Sequence, residues 1–349
     1  MASLAETAPP TDHQPPRAPL RPVDAAAALG VSEAEWLVGH APGPVVPLAP
    51  PFGPLVEQLT SLGPVMALTR NPSCVHEKDG IYDHVEIGRV MGLVLNHAID
   101  LRLFMNHWTF GFAVETPLET GGVRRSLQFF DRSGTAVHKI FARPATDMAA
   151  FDALVARFRH PSPPAGLETR PYPPAAPDRP DAEIDVGALR GAWDDLRDVH
   201  DFFALLRKAG AGRQQALRLA GPPFARPVAP SAVADVFHAA ARNAVPIMVF
   251  VGNRGCIQIH SGPIHRVQPM GPWLNILDPG FNLHLRADHV ANAWAVWKPQ
   301  SDSAVHSLEL FDAEGQLIAQ IFGERKPGIP EREDWQALVA DIPTLGARG

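Results

Sequence analysis

The sequence of 349 residues lacks the features that mark several large protein classes. Its two cysteines, Cys74 and Cys256, cannot build a disulfide framework, and no Cys-x-x-Cys pair is present to bind structural zinc. No apolar run approaches the roughly 18 residues of a transmembrane helix, and the longest tight run covers only residues 247–251. The N-terminus has no basic start followed by an apolar stretch, so we expect no secretory signal and a cytoplasmic protein.

Charge is also scarce. Only 19% of residues are charged and the formal net charge is −6, which argues against a nucleic-acid partner. Apolar residues make up 46%, enough for a large core, and the composition is not that of a disordered chain. With tyrosine only at Tyr82 and Tyr172, a tyrosinate ligand or tyrosyl chemistry has few candidates.

The common active-site signatures are missing as well. The chain contains no G-x-S-x-G, no G-x-x-x-x-G-K-[ST], no H-E-x-x-H and no G-x-G-x-x-G that opens a helix after a strand. Four histidines of the first half (His76, His84, His97 and His107) resemble a metal cluster by number. They lie in separate segments without ligand spacing, so we predict no such cluster.

Proline, in contrast, is abundant and unevenly placed. The chain has 37 prolines, and eight of them fall within residues 161–180. Such a segment cannot continue a helix or lie inside a sheet, and it predicts an extended linker near the middle of the chain. Residues 1–24 are predicted to be a flexible N-terminal extension.

The two sides of this linker repeat each other. Asn71 and Cys74 match Asn253 and Cys256 at an offset of 182 residues. Three blocks in the same order at a nearly constant offset indicate a tandem duplication, with a first repeat at 25–160 and a second at 181–349. The matched blocks are residues 63–80 with 245–262, 93–115 with 275–297, and 126–141 with 307–322.

Each repeat has the same predicted elements. A helical opening precedes short apolar strands, and a D-x-x-G turn at 131–134 and at 312–315 predicts a β-hairpin in each copy. A closing helix follows each hairpin. This order predicts an α+β fold in which each half is a large antiparallel sheet flanked by helices. Both cysteines lie in apolar strands and are expected to be buried thiols.

If a duplicated protein binds a single ligand, the two copies must differ at the residues that contact that ligand. In the second copy, a helical pattern predicts one apolar face formed by Leu196, Val199, Phe203 and Leu206, with His200 at its rim. A histidine at such a rim is more often a packing residue than a ligand.

Cations also differ between the copies. Lys298 and Arg325 replace Thr116 and Pro144 of the first copy, and Arg213 begins the helix that follows His200. Together with His200 they favour a flat, apolar, anionic ligand that carries a metal centre.

Several stretches resemble one known family. They include DLRLFMNHWTFGFAVE, DVHDFFALLRKAGAGRQQALRLAG and SLELFDAEGQLIAQIFGERKPG, and the resemblance extends over roughly residues 25 to 345. The chain is similar to the HemS/ChuS/HmuS family of bacterial haemin-transport and haemin-degrading proteins. This resemblance implies two α+β halves that bind one non-covalent haem b in the cleft between them.

The resemblance also implies roles for residues of this chain. His200 corresponds to the proximal ligand of the haem iron, and Arg102 to a distal residue that would be catalytic if haem is turned over. Arg213 is implied near the propionates or the haem edge. Phe322 stands where some relatives are expected to have tyrosine. The other pocket residues implied are Phe104, Phe250, Lys298, Gln320 and Arg325.

The implied function is binding of imported haem for iron acquisition. The resemblance leaves open whether the protein only carries haem or also opens the macrocycle with an external reductant or peroxide. It suggests an inner-membrane haem importer as donor and a haem oxygenase or reductase as acceptor. The alternative is a non-catalytic pocket or regulatory protein that binds a different apolar anion. In that case His200 would be a packing residue.

Overall fold

The computed structural model describes residues 21–163, 166–300, 303–325 and 329–346. Residues 1–20, and with them most of the predicted N-terminal extension, lie outside this part of the chain. Among the described residues, no helix has both the length and the apolar character needed to cross a membrane.

The first repeat begins with two helices, continues with nine strands and closes with a helix. Its elements are α1 (Pro22–Leu29), α2 (Glu33–His40), β1 (Val45–Leu48), α3 (Gly53–Val56), β2 (Val65–Arg70), β3 (Cys74–Gly80), β4 (Val85–Ile87), β5 (Gly92–Leu95), β6 (Asp100–Leu103), β7 (Phe110–Pro117), β8 (Val123–Phe130), β9 (Ala136–Ala142) and α4 (Met148–Phe158).

The second repeat has the same order with more helix at its start. Its elements are α5 (Val186–Asp194), α6 (Phe202–Ala209), α7 (Arg213–Ala220), β10 (Ala225–Val228), α8 (Ala232–Arg242), β11 (Ile247–Gly252), β12 (Cys256–Gly262), β13 (Val267–Met270), β14 (Trp273–Asp278), β15 (Phe281–Arg286), β16 (Asn292–Gln300), β17 (Ser303–Phe311), β18 (Leu317–Gly323) and α9 (Glu333–Ala340).

The two predicted hairpins are present, and local turn chemistry explains them. Asp131 Oδ1 accepts hydrogen bonds from the backbone N–H of Ser133 at 2.9 Å and of Thr135 at 3.1 Å. Gly134 has a φ of 77°, a conformation that glycine adopts without a steric penalty. Asp312 and Gly315 repeat this arrangement between β17 and β18, so the D-x-x-G prediction is confirmed in both copies.

The strands form two antiparallel sheets of nine strands each, and the repeats exchange strands between them. Sheet one has the order β1-β7-β8-β9-β2-β3-β15-β14-β13, and sheet two has the order β10-β16-β17-β18-β11-β12-β6-β5-β4. Each sheet therefore takes six strands from one repeat and three from the other. The predicted class, α+β with a duplicated large antiparallel sheet, is confirmed, and each sheet is completed by the opposite half of the chain.

Two matched asparagines fasten the sheets to each other. Asn71 Nδ2 donates to the carbonyl oxygens of Gly252 at 3.2 Å and Ile318 at 2.8 Å. Asn253 Nδ2 donates to the equivalent oxygens of Arg70 at 2.9 Å and Val137 at 2.8 Å. The repeated asparagine in the sequence therefore marks a pair of cross-sheet contacts related by pseudo-twofold symmetry.

The exchanged strands also contribute to both cores. One core packs α8 and α9 with sheet two and includes Leu274, Leu283 and Leu285 from the exchanged strands β14 and β15. The other packs sheet one with Leu101 and Leu103 of β6. Both cysteines are buried as predicted, and burial raises the pKa of the Cys256 thiol to about 12.

Because of this exchange, neither half of the chain is expected to fold alone. Residues 1–165 and 180–349, expressed separately, would each lack three strands of a sheet and part of a core. We expect each to give weak near-ultraviolet circular dichroism and to aggregate or self-associate in size-exclusion chromatography. As a control, the full chain cut once within the linker should stay together. A well-folded monomer from either half would contradict this expectation.

Three histidines are buried and held neutral. Burial lowers the pKa of His138 to about 3, and its ring bonds to Thr69 Oγ1 at 2.8 Å and Tyr82 Oη at 2.5 Å. Burial, with Lys78 Nζ at 2.8 Å, lowers the pKa of His260 to about 3. Burial also lowers the pKa of His76, neither of whose ring nitrogens has a partner.

Because these three histidines are buried in the neutral form, we expect the protein to lose stability in mild acid. Below pH 6.5 these histidines are protonated in the unfolded chain but stay neutral in the folded chain. Each histidine therefore lowers the free energy of unfolding by up to about 1.4 kcal/mol per pH unit as the pH falls. Urea unfolding followed by tryptophan fluorescence should show this loss between pH 6.5 and pH 5. His138→Gln should reduce the slope relative to the parent. A pH-independent midpoint over this range would contradict the prediction.

Candidate functional site

Strand register places several of the predicted site residues on one face of sheet two. Phe250 of β11 pairs with Gln320 of β18, and Gln320 pairs with Glu309 of β17. On the other side, Phe250 pairs with Ile259 of β12, and Arg102 of β6 pairs with Ile257, two residues earlier on the same strand. Directly paired residues, and residues two apart on a strand, share a face. Arg102, Phe250, Gln320 and Glu309 therefore face the same side.

Helices cover only one end of this face. Trp193, Phe202 and Leu206 of α5 and α6 pack against Trp294 of β16 and Phe311 of β17 in a buried cluster. On the strands beyond them, β11, β12 and β6, several apolar side chains of this face are only half-buried. We call this region the open floor; its half-buried side chains are Arg102, Met248, Phe250, Ile257 and, from β18, Phe322.

His200 lies on a short 3-10 turn, Val199–Asp201, that leads into α6 and contacts β16 of sheet two. Its side chain is 88% exposed. Asp198 Oδ1 accepts hydrogen bonds from the backbone N–H of His200 at 2.9 Å and from its Nδ1 at 2.6 Å. These two bonds hold the pKa of Asp198 below its usual value. The ring is thus fixed through Nδ1, and Nε2 is left accessible.

The predicted apolar face around His200 is confirmed at Leu196 and Leu206, which are 5% and 6% exposed, and is wrong at Phe203. Phe203 was expected on the apolar face, but it is 65% exposed, whereas Phe202 is only 2% exposed and packs on Trp193. The reason is that the helix is not continuous. α5 ends at Asp194, and the chain passes through the 3-10 turn before α6 begins at Phe202, which resets the helical phase.

Phe203 instead lines a cavity on the outer side of α6. The cavity has a volume of about 480 Å³ and lies between α6, the start of α7 and the end of the proline-rich linker. The guanidinium of Arg207 stacks on the Phe203 ring at 5.2 Å. Other lining residues are Pro177, Asp178, Arg179, Leu206, Arg213 and Leu317.

Arg102 is held by a carboxylate two residues before it. Its Nη1 donates to Asp100 Oδ1, and also to the carbonyl oxygen of Leu101 at 3.3 Å. Its other nitrogens have no partner among the described residues, and the side chain is about one-third exposed. Phe104 follows directly after β6, half-buried, with its backbone N–H bonded to the carbonyl oxygen of Gly255 at 3.0 Å.

The buried carboxylate of Glu309 pairs with two of the predicted cations, Arg213 and Lys298. Glu309 is 0% exposed, and its Oε2 accepts from Arg213 Nε at 2.7 Å. Its Oε1 accepts from Arg213 Nη2 at 2.8 Å, Lys298 Nζ at 2.7 Å and Gln320 Nε2 at 3.0 Å. Burial alone would raise the pKa of Glu309, but Arg213 and Lys298 outweigh it and hold that pKa well below its usual value.

The contacts with Glu309 determine which of the predicted cations are still available to a ligand. Lys298 is 4% exposed, and its ammonium lies 4.6 Å from the centre of the Phe202 ring. It is a buried, fully engaged charge rather than a free cation at a rim. Arg213 is more accessible, with Nη1 not used by Glu309. Arg325 Nη2 donates to Gln300 Oε1 at 2.5 Å, and its buried Nε has no partner.

The same position in sheet one is built with different charges. Lys139 occupies the place of Gln320 and Glu33 the place of Arg213, and the two bond at 2.6 Å. Arg70 also bonds to Glu33. His284 stands where sheet two has Arg102, and its Nδ1 bonds to Asn275 Oδ1 at 2.7 Å. The two copies therefore differ in charge at these positions, as the binding of a single ligand would require.

Other histidines are less suited to bind a ligand on the open floor. His260 is buried on the opposite face of sheet two, stacked on Phe281 at 3.7 Å, and His284 belongs to sheet one. His265 is exposed in the segment before β13. Within the described ranges, no group of three or more His, Cys, Asp and Glu side chains could hold a metal ion.

Sequence reasoning missed three acidic residues of this site: Asp100, Asp198 and Glu309. A weak signal existed for each. Asp100 and Asp198 stand two residues before the predicted Arg102 and His200, and Glu309 interrupts the apolar run of Leu308, Leu310 and Phe311. An acid in a strand that is buried on both faces needs a cation, and Arg213 lies 96 residues away in the chain, so only the fold shows the pairing.

Comparison with known proteins gives one consistent family. A family model described as "Haemin-degrading HemS.ChuX domain" matches residues 30–158 and 210–342. The hemin transport protein HmuS of Yersinia pestis is 39% identical over 320 residues, which cover 91% of this chain and 92% of that protein. His200 falls between the two segments that the family model matches.

Solved structures agree with the fold described above. The heme-binding protein PhuS from Pseudomonas aeruginosa, in its holo form, superimposes with a TM-score of 0.89 at 46% identity, covering 93% of this chain and 94% of that one. The heme degrading enzyme ChuS from Escherichia coli O157:H7 gives a TM-score of 0.85 at 36% identity, covering 93% and 94%.

Proposed function

Since this chain belongs to the haemin-degrading HemS.ChuX domain family, we propose that it binds one haem b on the open floor of sheet two, with His200 as the iron ligand. The observation that carries the proposal is the state of His200. Its ring is exposed, its Nδ1 is bonded to a carboxylate, and its Nε2 has no hydrogen-bond partner among the described residues. Neutral imidazole in this form is a good ligand for haem iron.

The residues of the floor fit the other parts of haem. Phe250 and Phe322, with ring centres 5.0 Å apart, offer apolar surface to a macrocycle. Arg213 Nη1 and Arg325 can receive the propionates, and arginine suits carboxylates through paired hydrogen bonds. Lys298 and Gln320 act through Glu309, which they help to hold in place. Phe104 would close the apolar wall next to Arg102.

Bound haem would supply a redox-active iron. Arg102 would face the haem from the open floor, where the N–H groups that Asp100 does not use could donate hydrogen bonds and where the contact with Asp100 would hold its orientation. A guanidinium stays protonated at physiological pH, so Arg102 cannot act as a general base. Its role is to orient a polar group and to stabilise negative charge.

We place the protein in iron acquisition, in the cytoplasm, as a carrier of imported haem. An inner-membrane haem importer is the proposed donor, and a haem oxygenase or reductase the proposed acceptor. The relatives support both carriage and degradation, because HmuS is a hemin transport protein and ChuS a heme degrading enzyme. The exposed iron ligand favours carriage, since a haem bound near the surface can be handed on.

Titration with haemin tests the proposal. We expect a Soret band that saturates near one haemin per chain. Iron-free protoporphyrin IX is the control, because it offers the same apolar ring and carboxylates without the metal. A flat haemin titration would overturn the proposal. Equal affinity for both compounds would instead favour the alternative of a pocket for an apolar anion, with His200 not a ligand.

Turnover is tested at Arg102. In Arg102→Ala we expect ferric haem to bind with unchanged stoichiometry, while loss of the haem spectrum with ascorbate or peroxide slows by about 10²-fold. Arg89→Ala, which removes an exposed arginine from the neighbouring turn, is the control. Equal degradation by parent and Arg102→Ala would show that Arg102 only lines the pocket. If the parent does not degrade haem, Arg102→Ala should instead release haem faster.

A further inference from the structure

The contact between Asp198 and His200 bears on which ring nitrogen of His200 carries the proton. Because a charged carboxylate can only accept hydrogen bonds, the 2.6 Å contact between Asp198 Oδ1 and Nδ1 requires a proton on Nδ1. In the neutral ring the available lone pair is then on Nε2, and the side chain that carries it is 88% exposed. A carboxylate that accepts from a ligand histidine also raises the electron density of the ring and fixes its orientation.

Asp198 is itself well placed to hold this geometry. The same Oδ1 accepts from the backbone N–H of His200 at 2.9 Å, so the carboxylate is anchored to the turn that carries the ring. In the remainder of the described chain, Nδ1 of two other histidines contacts a carboxylate: that of His84 contacts Asp83 at 3.2 Å and that of His306 contacts Glu331 at 2.5 Å. Glu331 also accepts from the backbone N–H of His306, at 2.8 Å, but His306 is only 26% exposed, whereas His200 is 88% exposed.

We propose that Asp198 is a positioning residue for the iron ligand: it selects the Nδ1–H tautomer of His200 before haem arrives and strengthens the donor character of Nε2 afterwards. The effect of Asp198 on the donor character of Nε2 rests on the proposed haem function. The selection of the tautomer concerns the haem-free protein and can be measured without a cofactor.

The tautomer is measured by nitrogen NMR on the haem-free protein labelled with ¹⁵N-histidine. With His200→Ala used to assign the signal, His200 in the parent at pH 8 should show a protonated Nδ1 and an unprotonated Nε2. In Asp198→Ala the population should move toward the Nε2–H form. A parent already in the Nε2–H form would overturn the proposal.

The effect on the metal is measured with Asp198→Asn, which can keep both hydrogen bonds but removes the charge. We expect ferric haem affinity to fall by roughly 10–100-fold, the haem reduction potential to become more positive, and the iron–histidine stretching frequency of the ferrous protein to decrease. Asp201→Asn is the matched control: it removes the same charge one residue beyond His200, from an exposed side chain that caps no helix N–H.

The outcomes separate the two proposals. If the parent binds haemin and Asp198→Asn behaves like Asp201→Asn in affinity, potential and spectrum, Asp198 only caps the turn and the positioning role is wrong. If the parent binds no haemin, the proposed function fails, and the role of Asp198 toward the metal fails with it. The tautomer result then shows whether Asp198 still orients the ring.

Discussion

His200→Ala should weaken ferric haem binding by about 10²-fold or more and move the Soret band, while the fold is unchanged. Loss of a residue that merely supports a ligand costs 10–100-fold in metal affinity, and loss of the ligand itself should cost at least as much. The side chain is 88% exposed, so its removal opens no cavity in the protein. Haemin titration and the rate of haem transfer to apomyoglobin measure the two effects.

The matched control is His84, the other strongly exposed histidine that contacts a carboxylate in the described part of the chain. Its φ is 49°, a conformation that asparagine tolerates, so His84→Asn removes the imidazole without adding strain. This variant should bind haem like the parent. If His200→Ala keeps the parental spectrum, the ligand lies elsewhere. His260, His265 and His284 then remain to be tested, and His265 comes first because it is exposed.

Glu309→Ala should lower the free energy of unfolding by about 3–5 kcal/mol, because it leaves Lys298 and Arg213 without their counter-charge inside the protein. Lys298 cannot reach water to compensate, since only 4% of it is exposed. Gln128→Ala, at the equivalent position of the first repeat, removes a neutral buried side chain of similar size and should cost about 1 kcal/mol. Urea unfolding compares both with the parent.

A second variant separates lost charge from lost packing. Replacing both partners, as in Glu309→Leu with Lys298→Met, removes the charges together and should recover much of the stability lost in Glu309→Ala. Because the pKa of Glu309 is lowered in the folded protein, its contribution to stability is present above pH 4.5 and decreases as the pH falls below that value. Equal stability of Glu309→Ala and the parent would show that the cluster is not holding α7 to the sheet.

Sequence reasoning was most successful where structure depends on neighbouring residues. The D-x-x-G turns predicted both hairpins, because an aspartate and a left-handed glycine close such a turn with contacts within five residues. The duplication was visible for a similar reason, since equal segments make equal elements. His200 and Arg102 came from the family resemblance, and the structure places Arg102 on β6 of sheet two and His200 on the turn between α5 and α6.

Other features depend on contacts between distant segments. The sequence contains no signal that β4–β6 join sheet two and β13–β15 join sheet one, because a strand of either repeat would satisfy the same hydrogen bonds at the same edge. The burial of Phe203 was mispredicted for a related reason. A helical pattern read across residues 196–206 does not show that the chain breaks at a 3-10 turn.

The sequence by itself therefore determined the repeated elements, the turns and the residue types available for a haem site, since these follow from short-range backbone preferences and hydrophobic periodicity. The tertiary structure alone decided which strands share a sheet and which charges meet. Glu309 pairs with Arg213 across 96 residues because two elements remote in the chain pack together. A buried charge is stable only where packing brings it an opposite charge, and that condition is set by the fold as a whole.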